Sequence, residues 1–349
     1  MKRIGVVCAL FGCGGTDAAP EALDAAPGTE SGARDSGDRD TAPADTGSEG
    51  HDDDSGADSG NATITQYWLS DTGGYTQVSA SYYHRCAVRG DGGLVCWGSA
   101  LFGKMAVPEG AYLAVSVART STCALGVDGV VVCSGCEEDG REYAFQIDGG
   151  QCRAPSELAA AIAVSDLFGL GLAVDGSLLY WSTSPIASTF GTAAGEVGGG
   201  LLAVDAAGTF FCAILLDEDV ACWSRPELDI EPNHARGPYD RLTAGGALVC
   251  AARPDDGWVC WAAAGWEDAV LDGRAYIVAD VGTGYAGTCG ILVSTGEIAC
   301  FGEMAVHIPP EGVYTDISVA DVYACAVRDD GVVACWGDLT QVEQPGSGD

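Results

Sequence analysis

The stretch CAVRGDGGLVCWG, Cys86–Gly98, returns as CAVRDDGVVACWG, Cys325–Gly337. Each copy sets two cysteines ten residues apart around an aspartate-glycine pair and closes on Trp-Gly. Degraded copies fill the interval. The cysteine brackets are Cys86 and Cys96, Cys123 and Cys133, Cys212 and Cys222, Cys250 and Cys260, Cys289 and Cys300, Cys325 and Cys335. A seventh copy, LGLAVDGSLLYW, has Leu170 and Tyr180 where the cysteines belong. The mean step is about 40 residues, the signature of a repeat architecture.

Both cysteines vanish together from the third repeat, as half of a disulfide would be useless alone. Zinc would need ligands from two brackets, so losing one bracket would orphan another. The brackets therefore read as disulfides. Asp91-Gly92, Asp128-Gly129, Asp175-Gly176 and Asp330-Gly331 are turn dipeptides between apolar strand residues. A hairpin centred there sets the cysteines opposite one another, close enough for a bridge. Cys289 and Cys300 hold one extra residue, which their turn must absorb. CSGC, Cys133–Cys136, could be a redox motif. The preferred assignment joins Cys133 to Cys123 and leaves Cys136 for Cys152, stapling an inserted loop.

Tyr75, Tyr112, Tyr239 and Tyr314 each stand eleven residues before a first cysteine, inside a further β-like stretch. After the second bracket position comes Trp97, Trp181, Trp223, Trp261, Phe301 or Trp336, with Ser134 the exception. An aromatic at one fixed place in each unit reads as packing between neighbouring units. Units of this size cannot bury both faces alone, but seven arranged radially can. The expected fold is all-β, a seven-bladed β-propeller of disulfide-stapled hairpins over residues 62–349. The two best copies lie at its ends, which suggests that those ends meet. Residues 62–70 could supply a strand to the last blade.

YTQVSASYYHRCAVRGDGGLVCWG, residues 75–98, resembles the regulator of chromosome condensation repeat in its short bacterial form. LFGKMAVPEG and GEMAVHIPPEG resemble that form's linking turn. The resemblance covers roughly residues 75–340 and is sharpest in the first and last repeats. It implies a seven-bladed propeller that works by binding proteins, as in the similar repeats of the secreted β-lactamase inhibitory protein II. The eukaryotic member's nuclear role does not fit the export signal and the charge.

The chain opens MKRIGVVCALFGCGG, a basic pair followed by an apolar run too short to span a bilayer. LFGC, ending at Cys13, resembles a lipobox, predicting a lipoprotein signal peptide over 1–12 and acylation of Cys13. An ordinary signal peptide is the competing reading. Residues 14–61 hold 13 acidic and 2 basic residues and almost nothing to bury. Residues 13–61 therefore read as a disordered acidic linker. Taking the signal's +2 and the linker's −11 from the total of −34 leaves −25 on residues 62–349. Lys104 is the only lysine outside the signal. Such a field repels nucleic acid and anionic lipid. The expected location is the bacterial outer membrane or cell surface, lipid-anchored and extracytoplasmic, with the periplasmic face an alternative.

No G-x-S-x-G, H-E-x-x-H or P-loop occurs, and no motif implies a cofactor or metal. The leading reading is a non-catalytic module for an extracytoplasmic protein or polysaccharide. The rivals are a secreted polysaccharide-acting enzyme with a carboxylate-lined funnel and an envelope structural protein. Residues just before each first cysteine vary, as ligand contacts are free to do, and equivalent loops of a propeller form a ring on one face. Tyr82, Tyr83, His84, Phe168, Phe210, Tyr285 and Tyr323 form the candidate binding face. The competing reading has them plug the axis as core.

Overall fold

A computed structural model describes residues 66–69, 74–137, 148–183, 200–208, 210–224, 234–246, 248–254, 257–262, 278–283, 287–302, 304 and 307–339. The signal segment 1–12, Cys13, the linker 13–61 and Tyr285 lie outside them.

The described residues form seven small antiparallel sheets in chain order. The first is Tyr75–Ala80, His84–Arg89 and Leu94–Gly98; the second is Tyr112–Val117, Ser121–Gly126 and Val131–Gly135. Ala159–Val164, Gly169–Ala173 and Leu178–Trp181 make the third. The fourth is Leu201–Ala207, Phe210–Leu215 and Val220–Ser224, edged by His234–Ala235. Arg241–Gly245, Leu248–Arg253 and Gly257–Ala262 make the fifth, and Val278–Thr283, Gly287–Leu292 and Ile298–Gly302 the sixth. The seventh is Tyr314–Val319, Tyr323–Arg328 and Val333–Gly337. Gln66–Leu69 pairs antiparallel with Val333–Trp336 at its edge, so the first described strand completes the last sheet.

In every sheet the second and third strands form the hairpin that the brackets imply. Each bracket pair stands directly opposite, including Leu170 and Tyr180. All six brackets are disulfides, with Cα atoms 4.0–4.1 Å apart, and Cys136 is joined to Cys152. Seven disulfides mark a protein of an oxidising compartment. The extra residue between Cys289 and Cys300 is absorbed in the turn, where the Gly296 N–H reaches Leu292 O.

The turns do more than reverse the chain. In the first sheet the Gly92 N–H donates to Arg89 O, and Asp91 Oδ1 accepts the Gly93 N–H at 2.9 Å. Asp128, Asp175 and Asp330 cap their turns in the same way. The residue after the aspartate is left-handed: Gly92, Gly129, Gly176 and Gly331 have φ between 78° and 87°. That geometry favours glycine. It also aims the carbonyl at the next sheet. Gly92 O accepts the Tyr112 N–H, Gly129 O that of Ala159, and Gly176 O that of Leu201, all at 2.8–2.9 Å. Glu218 O and Gly296 O do the same for Tyr239 and Tyr314, and Gly331 O for Tyr75. The last of these links the seventh sheet to the first.

A second set of bonds joins the first strands. The residue paired with each first cysteine is Ser79, Ser116, Asp205 or Ser318 in the first, second, fourth and seventh sheets. Ser79 Oγ accepts the Val117 N–H at 3.1 Å, and Ser116 Oγ that of Val164 at 3.0 Å. Asp205 Oδ2 accepts the Ala244 N–H at 2.8 Å, and Ser318 Oγ that of Ala80 at 3.0 Å. In the third sheet Ala163 occupies this position and has no oxygen to offer.

The recurring aromatic column fills the space between sheets. Trp97 packs with Tyr323, Val333 and Leu339 of the seventh sheet, and Trp181 with Ala114, Cys123 and Leu125 of the second. Trp336 reaches Cys289, Ile291 and Met304 around the sixth. Trp223, Trp261 and Phe301 lean likewise on the sheets that precede theirs. Ser134, the exception, hydrogen-bonds Lys104 O at 3.0 Å. Lys104 itself is buried there.

Candidate functional site

The loops between first and second strands gather at one end of the sheets. There the structure separates the expected face into two groups. His84, Phe168, Phe210 and Tyr323 are buried to within 1 % exposure, whereas Tyr82 and Tyr83 are half-buried. The four buried residues belong to the core, because the second strand they begin is covered on both faces by neighbouring sheets. Phe168 stacks on Tyr180 at 5.7 Å, and Phe210 packs with Tyr239 and Ile214. The Tyr323 hydroxyl donates to Ser81 O, and its ring lies 5.1 Å from the Arg85 guanidinium. Arg85 is buried between that ring and Trp97.

His84 is a structural link. Nδ1 faces Ser81 Oγ at 3.1 Å and Nε2 faces Thr122 Oγ1 at 2.7 Å, tying the first sheet to the second. Burial, with Lys104 and Arg85 nearby, holds its pKa well below the ordinary value, so the ring is neutral at pH 7. Lys104 Nζ lies 4.8 Å from the Tyr83 ring centre and 5.2 Å from that of Phe102, and donates to Arg119 O at 3.3 Å. Burial lowers its pKa to about 8. Two aromatic faces offset part of the hydration energy that the buried ammonium loses. Lys104 also supports Tyr83 from below.

What reaches solvent is a smaller cluster. Tyr82 and Tyr83 meet edge to face at 4.6 Å. The Arg119 guanidinium lies 5.7 Å from the Tyr82 ring centre. Its Nε is 3.6 Å from Asp166 Oδ2, and its backbone N–H donates to Asp166 Oδ1 at 2.9 Å. Asp321 joins them: burial raises its pKa, Arg119 opposes the rise and Asp166 adds to it. An aromatic pair, one guanidinium and two carboxylates from four loops therefore share one surface.

Arg119, Asp166 and Asp321 are not among the residues expected from the sequence. The signal that finds them is positional. Tyr82, Arg119, Asp166 and Asp321 each stand four residues before the first bracket position of their own repeat. The aromatic reading takes Tyr82 and Tyr285 from this column, and His84, Phe168, Phe210 and Tyr323 from the column two residues on, at the start of the buried strand.

No protein-family model matches the chain, and no curated protein matches it. Solved structures do. The entire ectodomain of the receptor kinase CR4 from Physcomitrella patens aligns over 76% of this chain and 74% of its own, with 19% identity and a TM-score of 0.58. The CRINKLY WD40 ectodomain of the receptor kinase ACR4 from Arabidopsis thaliana aligns over 76% and 96%, with 18% identity and a TM-score of 0.57. Yeast RCC1 (Prp20), solved with Kap60, is a weaker match at 11% identity and a TM-score of 0.46, over 79% and 73%. The fold is that of a β-propeller. Among the described residues no helix is long and apolar enough to cross a membrane.

Proposed function

We propose that the chain is a seven-bladed propeller of the regulator of chromosome condensation repeat type, exported and held to the bacterial envelope through Cys13. Its work is non-catalytic binding of an extracytoplasmic protein. The observation that carries this reading is the convergence of Tyr82, Arg119, Asp166 and Asp321 from equivalent positions of four repeats. Aromatics and arginines on rigid loops are the residue types that anchor protein interfaces. The rival enzyme reading needs carboxylates free to meet a substrate in the funnel. Two carboxylates that sit between sheets, Asp205 and Asp316, are committed to backbone N–H groups of the neighbouring sheet, at 2.7–2.8 Å, and do not meet that need.

The test compares exposed and buried members of the expected face in the full chain. Tyr82→Ala with Tyr83→Ala should abolish capture of the envelope partner and lower the melting temperature far less than Phe168→Ala does, the loss of the Tyr83 ring over Lys104 being its main structural cost. Phe168→Ala should lower stability by about 3–5 kcal/mol, the usual cost of emptying a core site of this size. If the tyrosine double variant captures its partner like the parent, the loop end is not the binding face.

A further inference from the structure

The opposite end of the sheets carries a pattern of its own. Four residues after each first bracket position the chain enters the turn between second and third strands. That column reads Gly90, Val127, Val174, Leu216, Pro254, Val293 and Asp329. A turn tip in water is a place for polar residues, yet Val127, Val174, Leu216 and Val293 stand there 58–74 % exposed. Leu158, also exposed, lies beside the Gly129 turn and extends the apolar surface between the second and third sheets. Single exposed aliphatics need no explanation, but one at the same position on three consecutive sheets does.

Each of these three is followed directly by an aspartate. Asp128, Asp175 and Asp217 are exposed. One oxygen of each accepts a backbone N–H within its own turn, which fixes the carboxylate beside the aliphatic side chain. Among the described residues none of the three forms an ion pair. The seventh sheet differs. Asp330 is engaged by Arg328, and the column holds Asp329 in place of an aliphatic residue. The turn end is therefore uneven around the ring: an arc over the second to fourth sheets alternates apolar and unpaired acidic groups.

We propose that this arc is a docking surface for a cationic protein segment that interleaves apolar side chains with lysine or arginine. The choice of occupant follows from charge. A second copy would bring its own negative field against the arc, since the chain carries −34 overall. An anionic bilayer is repelled in the same way. A segment alternating basic and apolar residues covers the aliphatics and pairs the carboxylates together, which is the complementarity that gives specificity and fast association. This surface is separate from the loop-end cluster and does not depend on it.

The test uses three labelled synthetic peptides of equal length, alternating Lys-Leu, Lys-Ser and Glu-Leu, titrated against the oxidised full chain by fluorescence anisotropy. The Lys-Leu peptide should bind, the Lys-Ser peptide at least tenfold more weakly, and the Glu-Leu peptide not at all. Val174→Ser with Leu216→Ser keeps the charge and removes the apolar groups, and should weaken Lys-Leu binding at least tenfold. Tyr82→Ala with Tyr83→Ala should leave that binding unchanged. Equal binding of Lys-Leu and Lys-Ser, or an unaffected serine variant, would overturn the proposal in favour of bulk charge attraction. A dimer in sedimentation that the serine variant abolishes would overturn it in favour of a second copy. Binding to phosphatidylcholine vesicles lost in that variant would overturn it in favour of lipid.

Discussion

The junction of the seventh sheet with the first and the junction of the third with the fourth have the same place in the repeat and different chemistry. The first is stitched. Asp316 Oδ2 accepts the Val78 N–H at 2.7 Å, Ser318 Oγ that of Ala80 at 3.0 Å, and Gly331 O that of Tyr75 at 2.8 Å. Between these sheets Arg85 sits against Trp97 and Tyr323. The second junction keeps the turn bond, from Leu201 N–H to Gly176 O at 2.9 Å, but Ala163 has no side-chain acceptor and the third repeat lacks its bracket disulfide. An aromatic column runs there instead: Tyr180 on Phe168, Phe168 on Phe211 at 6.3 Å, and Phe211 stacked on Trp223 at 4.9 Å. Directional bonds fix the register where chain ends must find each other across more than two hundred residues. Equivalent side-chain bonds also join the first sheet to the second, the second to the third and the fourth to the fifth, and where Ala163 removes the acceptor stacked rings fill the junction instead.

The equivalent glycines Gly331 and Gly176 turn this contrast into a measurement. Both are left-handed, with φ of 78° and 82°, so alanine is strained at either. A Cβ on Gly176 would find its nearest neighbour at 3.5 Å. On Gly331 it would stand 2.6 Å from Gly74 Cα, a backbone atom that cannot step aside. Gly176→Ala should cost about 1–2 kcal/mol, the strain of the conformation alone. Gly331→Ala should cost at least about 3 kcal/mol, as a steric conflict is added to that strain. Urea titration of the two variants checks the order. Equal costs would mean that the closing junction yields as readily as an internal one.

Asp205 extends the comparison to the junction of the fourth and fifth sheets, where a carboxylate replaces the serine found elsewhere. Burial pushes its pKa up to about 6 despite bonds from Ala244, Ala206 and Thr243. A carboxyl with its folded pKa above the unfolded value binds more protons folded than unfolded. Stability from this group therefore falls as pH rises from about 4 to about 6, and stays low above that. The displacement corresponds to about 2–3 kcal/mol at pH 7. Asp205→Ser should remove that slope and leave the variant more stable than the parent at pH 7 but not at pH 4. Thermal melts at both pH values decide it; a parallel pH dependence would show that the carboxylate is stabilised by its bonds.

Much of this was legible in the sequence because it repeats. The cysteine brackets, the Asp-Gly turns and the aromatic after Cys96 or Cys335 point to the strand pairing and to six of the seven disulfides without reference to distant contacts, and Cys136 with Cys152 is the pair left over. The stitching was not legible. A serine at position 79 or 318 looks like any strand serine until the neighbouring sheet is placed against it. Four of the seven candidate residues of the binding face are buried for a related reason. Variation at His84, Phe168 and Phe210 arises because each packs into a junction of different chemistry, so variability before the first cysteine reports packing as well as ligand contact. The exposed column of Val127, Val174 and Leu216 was visible throughout, as aliphatics where a turn favours polar residues.

The smallest expected effect concerns the third repeat, where the bracket is absent. Leu170 and Tyr180 stand directly opposite, as bracket cysteines do in the other sheets. Leu170→Cys with Tyr180→Cys should therefore oxidise to an eighth disulfide without moving the backbone, and a thiol assay should find no free cysteine from the pair. Closing a loop of this length contributes about 2–3 kcal/mol in the chain-entropy account. Against that, Leu170 is fully buried and packs with Phe168, Ala206 and Phe211, and Tyr180 stacks on Phe168. Trading a buried leucine for a smaller side chain costs about 2 kcal/mol or more, and the loss of the ring contact adds to it. The two terms nearly cancel. The oxidised variant should melt within a few degrees of the parent, and the reduced variant clearly below it. A large gain in the oxidised form would show that the aromatic column contributes little, and that the third repeat lacks its bridge for reasons other than packing.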